Sequence, residues 1–467
     1  MKSKFILSIL VTAWLMQFSA SSQTKSPMEI NLKTAQEYAI KNSYSTRTGA
    51  LDIDIAKKKR WEYLTVGMPQ VGGSIQYQDM LDVPTQLIPD FISPAIYGVL
   101  VQEHLIPASQ MPTNLNQSFP MKFGTQHNLS AGITATQLIF SGQYLLGVKA
   151  AKLLIDLADN GLAKTEQDVK QSVASTYYLI LTLEVNKQIL DSSMINVTKT
   201  LHEVTEMNKN GFVEESDVDQ IHIMSINLSN LISTISRQIE LSNKLLKFQM
   251  GLEINTPLKL TEQLDNVLAG IAMESILKKP FDPKSDITFQ LINIQEKLSI
   301  LNVKNERYTM YPSVMGSFVY QKKAMQDDLD FFGSSSKWYP TSIIGINVDI
   351  PIFSSWKRRT SIARAKIELE KTRINKKMLE ESLLLSYEQA KSTFNNSWDK
   401  FNKEKENMQL TKRIHDKNLI KFKEGISSSL DLTQTHSQYL TAESNYFSAL
   451  FELLNSKINL DKLYNQL

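Results

Sequence analysis

From Phe353 to Glu424 the 467-residue chain carries neither glycine nor proline. A run so free of helix breakers reads as one continuous α-helix, and at 1.5 Å per residue it would measure roughly 100 Å. No globular core is deep enough to absorb such a helix, so it requires other long helices alongside it. A second run, Ser141–Asn210, is nearly as long; it lacks proline and has glycine only at 142, 147 and 161. Both runs stop at the same kind of break. "NKNGFVEESDVDQIH" (Asn208–His222) and "FKEGISSSLDLTQTH" (Phe422–His436) each place Asp six residues after a glycine, Val or Leu next, and His eleven residues after the glycine. Gly211 and Gly425 are suited to end the helices, Ser216 and Asp431 to cap the returning ones, and Asp217 to complement the N-terminal dipole.

The segments after the breaks carry heptads. Val218, Ser225, Ile232, Ile239 and Leu246 fall at sevens, with Ile221, Leu228 and Ile235 in the other seam position. In the second segment the sevens are Leu432, Tyr439, Tyr446, Leu453 and Leu460, with Ala442 and Ala449 opposite. The Tyr/Ala pairing suggests large knobs facing small holes on a neighbouring helix.

Other stretches also occur twice. "MPQVGGSIQYQ" (Met68–Gln78) matches "YPSVMGSFVYQ" (Tyr311–Gln321), and "SAGITATQLIFSG" (Ser130–Gly142) matches "IIGINVDIPIFSS" (Ile343–Ser355). All four alternate apolar with small or polar residues at period two, the pattern of a strand with two unlike faces. The expected organisation is a signal peptide over 1–22, a first repeat over 23–250, a connecting segment over 251–283 and a second repeat over 284–467. The first repeat holds strands near 70–79 and 127–139, a long helix over 141–210, a tip turn over 211–216 and a helix over 217–250. The second holds strands near 313–321 and 341–352, a long helix over 354–424, a tip turn over 425–430 and a helix over 431–465. The loop Gln78–Gln126, with "DVPTQLIPDFISPA", reads as exposed irregular structure.

Four strands of about ten residues are long enough to cross a bilayer when tilted, but four cannot close and an open edge cannot sit in lipid. Eight close on a filled interior. Twelve strands from three chains are the smallest multiple of four that leaves a lumen. The expected fold is therefore an α+β membrane protein: a trimeric twelve-stranded β-barrel, four strands per chain, continued by a long α-helical coiled-coil barrel, with an internal twofold repeat. A periplasmic or secreted coiled-coil scaffold without a pore would explain the heptads but not the four strands.

Lys2 and Lys4 precede an apolar stretch, "FILSILVTAWLMQF", of about 14 residues, within the range of a signal peptide and short for a membrane helix. "SASSQ" supplies small residues for cleavage after Ser22. The chain has no cysteine, which excludes disulfides, thiolate chemistry and a lipidated cysteine. A formal charge of +3 argues against a nucleic-acid partner. No phosphate-cradling glycine loop, nucleophile elbow or HExxH is present, so no catalytic residue, cofactor or metal is expected. His202, His222, His415 and His436 lie near the two turns, but no ligand spacing occurs within one helix.

The plan as a whole resembles the TolC-like outer-membrane efflux proteins. "INLKTAQEYAIKNS" (Ile30–Ser43) is similar to the family's N-terminal helix "LTLEEALxxALxNN", and "PIFSS" (Pro351–Ser355) to its "PLFDGG" passage from strand to helix, with Ser355 and Trp356 in place of the glycines. The two turns resemble the family's periplasmic tip motifs. The resemblance implies a homotrimer in outer-membrane lipid, reaching into the periplasm and working with a periplasmic adaptor protein and an inner-membrane transporter, as the exit duct of an efflux or type I secretion system. It also implies that residues after the second turn line a periplasmic aperture. There the family has two Asp three residues apart; this chain has Asp431 and Gln434. The family's gate-locking Arg and Tyr correspond to Ser427 and Phe422. The first turn is more acidic, with Glu214, Glu215, Asp217 and Asp219. These residues read either as capping and solvation or as an anionic entrance or adaptor contact.

Overall fold

The computed structural model describes residues 27–113, 118–269 and 280–466. The expected signal peptide lies outside the described residues. In chain order the elements are β1 (Met28–Ile30), α1 (Leu32–Asn42), α2 (Tyr44–Thr65), β2 (Gln70–Asp79), β3 (Thr85–Pro89), α3 (Ile92–Gln102), β4 (Ser118–Lys122), β5 (His127–Phe140), α4 (Gly142–Lys209), α5 (Glu215–Met250), β6 (Leu258–Leu260), α6 (Leu264–Ala269), α7 (Ile287–Tyr308), β7 (Ser313–Gln326), β8 (Trp338–Asp349), α8 (Lys357–Lys423) and α9 (Ser429–Leu463). No described helix is long and apolar enough to cross a membrane.

The chain divides into two compact units, and neither follows a single half of the sequence. One comprises 57–153 and 298–369; the other comprises 1–56, 154–297 and 370–467. The first unit holds a four-stranded antiparallel sheet in the order β2-β5-β7-β8. Its register brings the four alternations into phase. Val71, Ala135, Phe318 and Ile344 form one row across the sheet; Ser74, Gly132, Gln321 and Thr341 form another, displaced by an odd number of residues. Since side chains alternate in direction along a strand, one row lies on each face. One face is thus predominantly apolar and the other small or polar. Gly132 is needed for that register, because a Cβ there would stand 2.6 Å from the Cβ of Gln321. The outer edges of β2 and β8 have no strand partner among the described residues.

Three expectations for this unit are corrected. β7 runs on to Gln326 instead of ending near 321, because Lys322–Ala324 pair with Trp338–Pro340 of β8. The 78–126 segment is not irregular. It contains a two-stranded ribbon of β3 and β4 and the helix α3, with Pro89 and Pro120 in the ribbon, where an edge position needs no N–H for a ladder. The helix expected from 354 begins at Lys357, because Ser355 and Trp356 adopt left-handed backbone, with φ of 46° and 66°. A bulge in β5 skips Ile139: Leu138 pairs with Met315, and Phe140 with Val314.

The second unit is helical, with a short parallel pair of β1 and β6. One apolar cluster gathers Ile30, Tyr177, Ile180, Leu246, Phe394 and Leu450; another gathers Leu190, Val197, Ile221, Leu228 and Leu432. The heptads of α9 are buried at Leu432, Tyr439, Leu453 and Leu460. In α5 the deeper seam is Ile221, Leu228, Ile235 and Ser242, while Val218, Ser225, Ile232 and Ile239 are half-buried. A 3.6-residue helix drifts relative to a strict seven, so the two seam positions of α5 are not equivalent.

α5 ends at Gly251, whose φ is 74° and whose Cβ would lie 2.2 Å from the carbonyl oxygen of Asn42. Gly425 has a similar φ, 72°, but open space around it. Gly425→Ala is expected to cost about 1–2 kcal/mol from the left-handed backbone alone, and Gly425→Asn less. Gly251→Ala should lower the thermal unfolding midpoint well beyond Gly425→Ala. Equal shifts would show that the Asn42 contact relaxes freely.

Candidate functional site

The two turns are built the same way. At the end of α4 the Phe212 N–H donates to the Met207 carbonyl (3.0 Å) and the Gly211 N–H to that of Asn208 (2.9 Å). At the end of α8 the Ile426 N–H donates to Lys421 (2.8 Å) and the Gly425 N–H to Phe422 (3.0 Å). These are the paired bonds of a Schellman motif, and both glycines are left-handed, with φ of 79° and 72°. Phe422 thus takes part through its backbone carbonyl.

The N-cap of the helix that follows each turn stands three residues after the glycine. The N-caps are Glu214 and Ser428, which corrects the expectation for Ser216 and Asp431. Asp217 and Asp431 stand three residues further on, and each carboxylate accepts the cap residue's N–H, at 3.3 and 3.4 Å. The Ser428 hydroxyl donates to Asp431 (2.8 Å) and accepts the Asp431 N–H (3.1 Å). The glycine-to-Asp spacing is therefore the distance from a helix-ending glycine to the third residue of the next helix. Hydrogen bonds from the Ser428 hydroxyl and N–H hold the Asp431 carboxyl below its ordinary value, so it is ionised at neutral pH.

The turns also touch one another. The Ser429 hydroxyl, buried, donates to Asp217 of the other turn and lies 3.3 Å from Gln220 Oε1. Lys423 pairs with Glu203 at 3.1 Å, joining α8 to α4 near their ends. Within the second turn the Ser427 hydroxyl donates to Asn418 (2.7 Å), whose amide donates to Thr435 (3.2 Å). Asp431 and Gln434 are exposed on the first turns of α9, and Glu214, Glu215 and Asp219 are exposed on the first turn region of α5. Ser428, Ser429 and Asn418 were not singled out from sequence. The S-x-x-D spacing of Ser428 and Asp431 was a readable cap signal; the reach of Ser429 to Asp217, 212 positions away, was not.

The repeated histidines differ. His202 and His222 are exposed. His436 is 2% exposed and faces His415, ring centroids 4.9 Å apart, while His415 stacks on Tyr439 at 5.9 Å. Among the described residues neither ring nitrogen of His436 has a hydrogen-bond partner, and Glu443 is buried beside Tyr439. A cavity of about 130 Å³ is lined by Asn196, Thr200, Lys412, His415, Asp416 and Tyr439 among others. Among the described residues no group of three or more histidines and carboxylates is placed to hold a metal. Burial, with the neighbouring His415 charge, lowers His436 to about 4, and burial raises Glu443 to about 7.

The signs follow from linkage. A histidine lowered on folding costs stability as pH falls from about 6.5 towards 4. A glutamate raised on folding costs stability as pH rises from about 4.5 towards 7. Glu443→Gln is therefore expected to be more stable than the wild type at pH 8, by an amount on the order of 3 kcal/mol, and so to unfold at a higher temperature there, but at a similar temperature at pH 4.5. Circular dichroism in detergent at the two pH values checks this; a pH-independent difference would remove the carboxyl as its source.

Comparison with known proteins identifies the scaffold on which these turns sit. The family model described as outer membrane efflux protein matches residues 297–466. No curated protein sequence matches the chain. Among solved structures, the outer membrane protein VceC of Vibrio cholerae superposes with a TM-score of 0.65 at 13% identity, covering 92% of this chain and 95% of that one. The CmeC outer membrane channel of Campylobacter jejuni gives 0.67 at 15% identity, covering 96% and 90%. The MtrE outer membrane channel of Neisseria gonorrhoeae, in its open state, gives 0.63 at 14%, covering 93% and 88%. At these identities the likeness is one of fold, and the family match lies in the C-terminal part of the chain. Residues 297–466 thus match the outer membrane efflux protein family model, and the fold over the whole described chain is that of these outer membrane channels.

Proposed function

We propose that this chain is the outer-membrane channel component of a tripartite efflux or type I secretion system, passively conducting substrate delivered by an inner-membrane transporter through a periplasmic adaptor. The observation that carries this reading is the sheet: four membrane-length strands in register, one apolar face, and two unpaired edges. Unpaired backbone groups are not tolerated in lipid. Three copies closing edge to edge give twelve strands and a lumen lined by the small and polar face. The twin turns and matching strands support an internal duplication. The chain is exported by its signal peptide, sits in the outer membrane of a Gram-negative cell and reaches into the periplasm. It performs no catalysis.

The tip residues then act as a periplasmic aperture. Six turns, two per protomer, gather about the threefold axis, and the bond from Ser429 to Asp217 ties the two turns of one protomer. Asp431 supplies one ring of three carboxylates, and Gln434 leaves the next ring uncharged. Glu214, Glu215 and Asp219 extend the negative field at the entrance or meet the adaptor. With Ser427 committed to Asn418 and Phe422 to its backbone bond, closure rests on serine and amide hydrogen bonds in place of an arginine lock.

Two measurements test this. The protein is expected to run as a trimer in mild detergent; a monodisperse monomer with intact strand content would overturn the reading. In planar bilayers, Asp431→Asn keeps an acceptor for Ser428 but removes three charges per trimer, so cation preference and block by multivalent cations should fall. Unchanged selectivity in a conducting trimer would reduce Asp431 to its capping role.

A further inference from the structure

The apolar stripe of β8 does not stop with the strand. Ile344, Ile346, Val348, Ile350 and Ile352 recur at period two, and all are at least half exposed, Ile352 at 93%. Immediately beyond come Phe353 and Trp356, exposed at 81% and 66%, and then Lys357, Arg358 and Arg359. The three cations fill the first turn of α8, which has no acidic residue. A helix N-terminus is already positive, so cations there raise a potential that carboxylates ordinarily offset. Among the described residues no carboxylate pairs with Lys357, Arg358 or Arg359, although Arg364, one turn further, pairs with Glu368 at 3.7 Å. The Arg359 guanidinium instead lies over the Trp356 ring, 4.6 Å from its centroid. Pro351, Ile352, Phe353, Trp356, Arg358 and Arg359 line an open pocket of about 300 Å³. Trp356 stands where left-handed backbone would suit glycine, so the indole is held in place against local strain.

Apolar stripe, aromatic ring and unpaired cations follow one another over a few residues, in the order in which a bilayer presents acyl chains, interface and phosphate. We propose that Trp356, with Lys357, Arg358 and Arg359, is a membrane-interface anchor that grips the phosphates of anionic phospholipid headgroups. This rests on the reading that the apolar sheet face meets lipid. The occupant is the bilayer surface and not free phosphate, because the cations are continuous with the apolar stripe and with exposed Ile352, Phe353 and Trp356. A chain without cysteine has no covalently attached lipid on that residue, and this patch supplies a non-covalent hold at the end of the sheet. Three protomers would bring nine such cations to one ring.

The test uses the assembled full-length protein in nanodiscs, with brominated phosphatidylglycerol or brominated phosphatidylcholine as the quencher of tryptophan fluorescence. The difference between wild type and Trp356→Phe isolates Trp356. Both lipids should quench it, phosphatidylglycerol at the lower mole fraction. Each neutralised cation should weaken that preference about fivefold, so that Lys357→Gln/Arg358→Gln/Arg359→Gln shows none, while the trimer stays assembled. Millimolar inorganic phosphate should not displace the lipid. Equal quenching by the two lipids in the wild type, no quenching of Trp356 by either, or displacement by phosphate would each overturn the proposal. Ile346→Trp in the Trp356→Phe background reports the sheet face separately. If both brominated lipids quench it, the lipid-facing reading of the sheet stands whatever happens at Trp356.

Discussion

Everything in the helical unit depends on satisfying backbone groups at the two corners. A helix leaves carbonyls unpaired at its end and N–H groups unpaired at its start, and α4 and α8, with 68 and 67 residues, are reversed within a few residues of chain. The solution at each corner is a left-handed glycine whose N–H, with that of the residue after it, bonds back to the outgoing helix, followed after a fixed interval by an aspartate that accepts an N–H of the incoming one. Charge is a by-product of that solution. At the aperture proposed above, the carboxylate that caps the helix is also the charge offered to a passing ion.

Much of this was legible. The glycine-to-aspartate interval, the breaker-free runs and the period-two strands are local signals, and each reports a backbone requirement that one or a few residues meet. What escaped reading depends on distant partners. Ser429 is one serine of three in a row, and only packing reveals that its hydroxyl meets Asp217. Glu443 is the one charged residue of its stretch, flanked by small and polar residues in sequence, yet α9 turns it into the core beside Tyr439. The prolines of the 78–126 segment argued for irregular chain, but a two-stranded ribbon has edges on which proline is harmless. Ser355 and Trp356 gave no local warning that the helix would begin two residues after Ser355.

The core of α9 is not uniformly apolar. Leu432 belongs to one cluster and Phe447 and Leu450 to the other, and His436, Tyr439 and Glu443 lie between them. Buried polar groups without partners are costly, and here they divide the apolar packing of one helix into two blocks. Polar interruptions of this kind in coiled coils specify register at the expense of stability, which suits helices whose repeats offer several near-equivalent alignments.

The bulge in β5 resets the phase of that strand. Up to Leu138, odd-numbered residues share the face of Val71 and Phe318; by skipping Ile139, the strand delivers Phe140, an even-numbered residue, opposite Val314 on that same face. The strand therefore enters α4 with its parity inverted. One spare residue at this point works as a clutch between two periodicities, the two of the strand and the 3.6 of the helix. It keeps Phe140, the last residue of the strand, on the apolar face of the sheet.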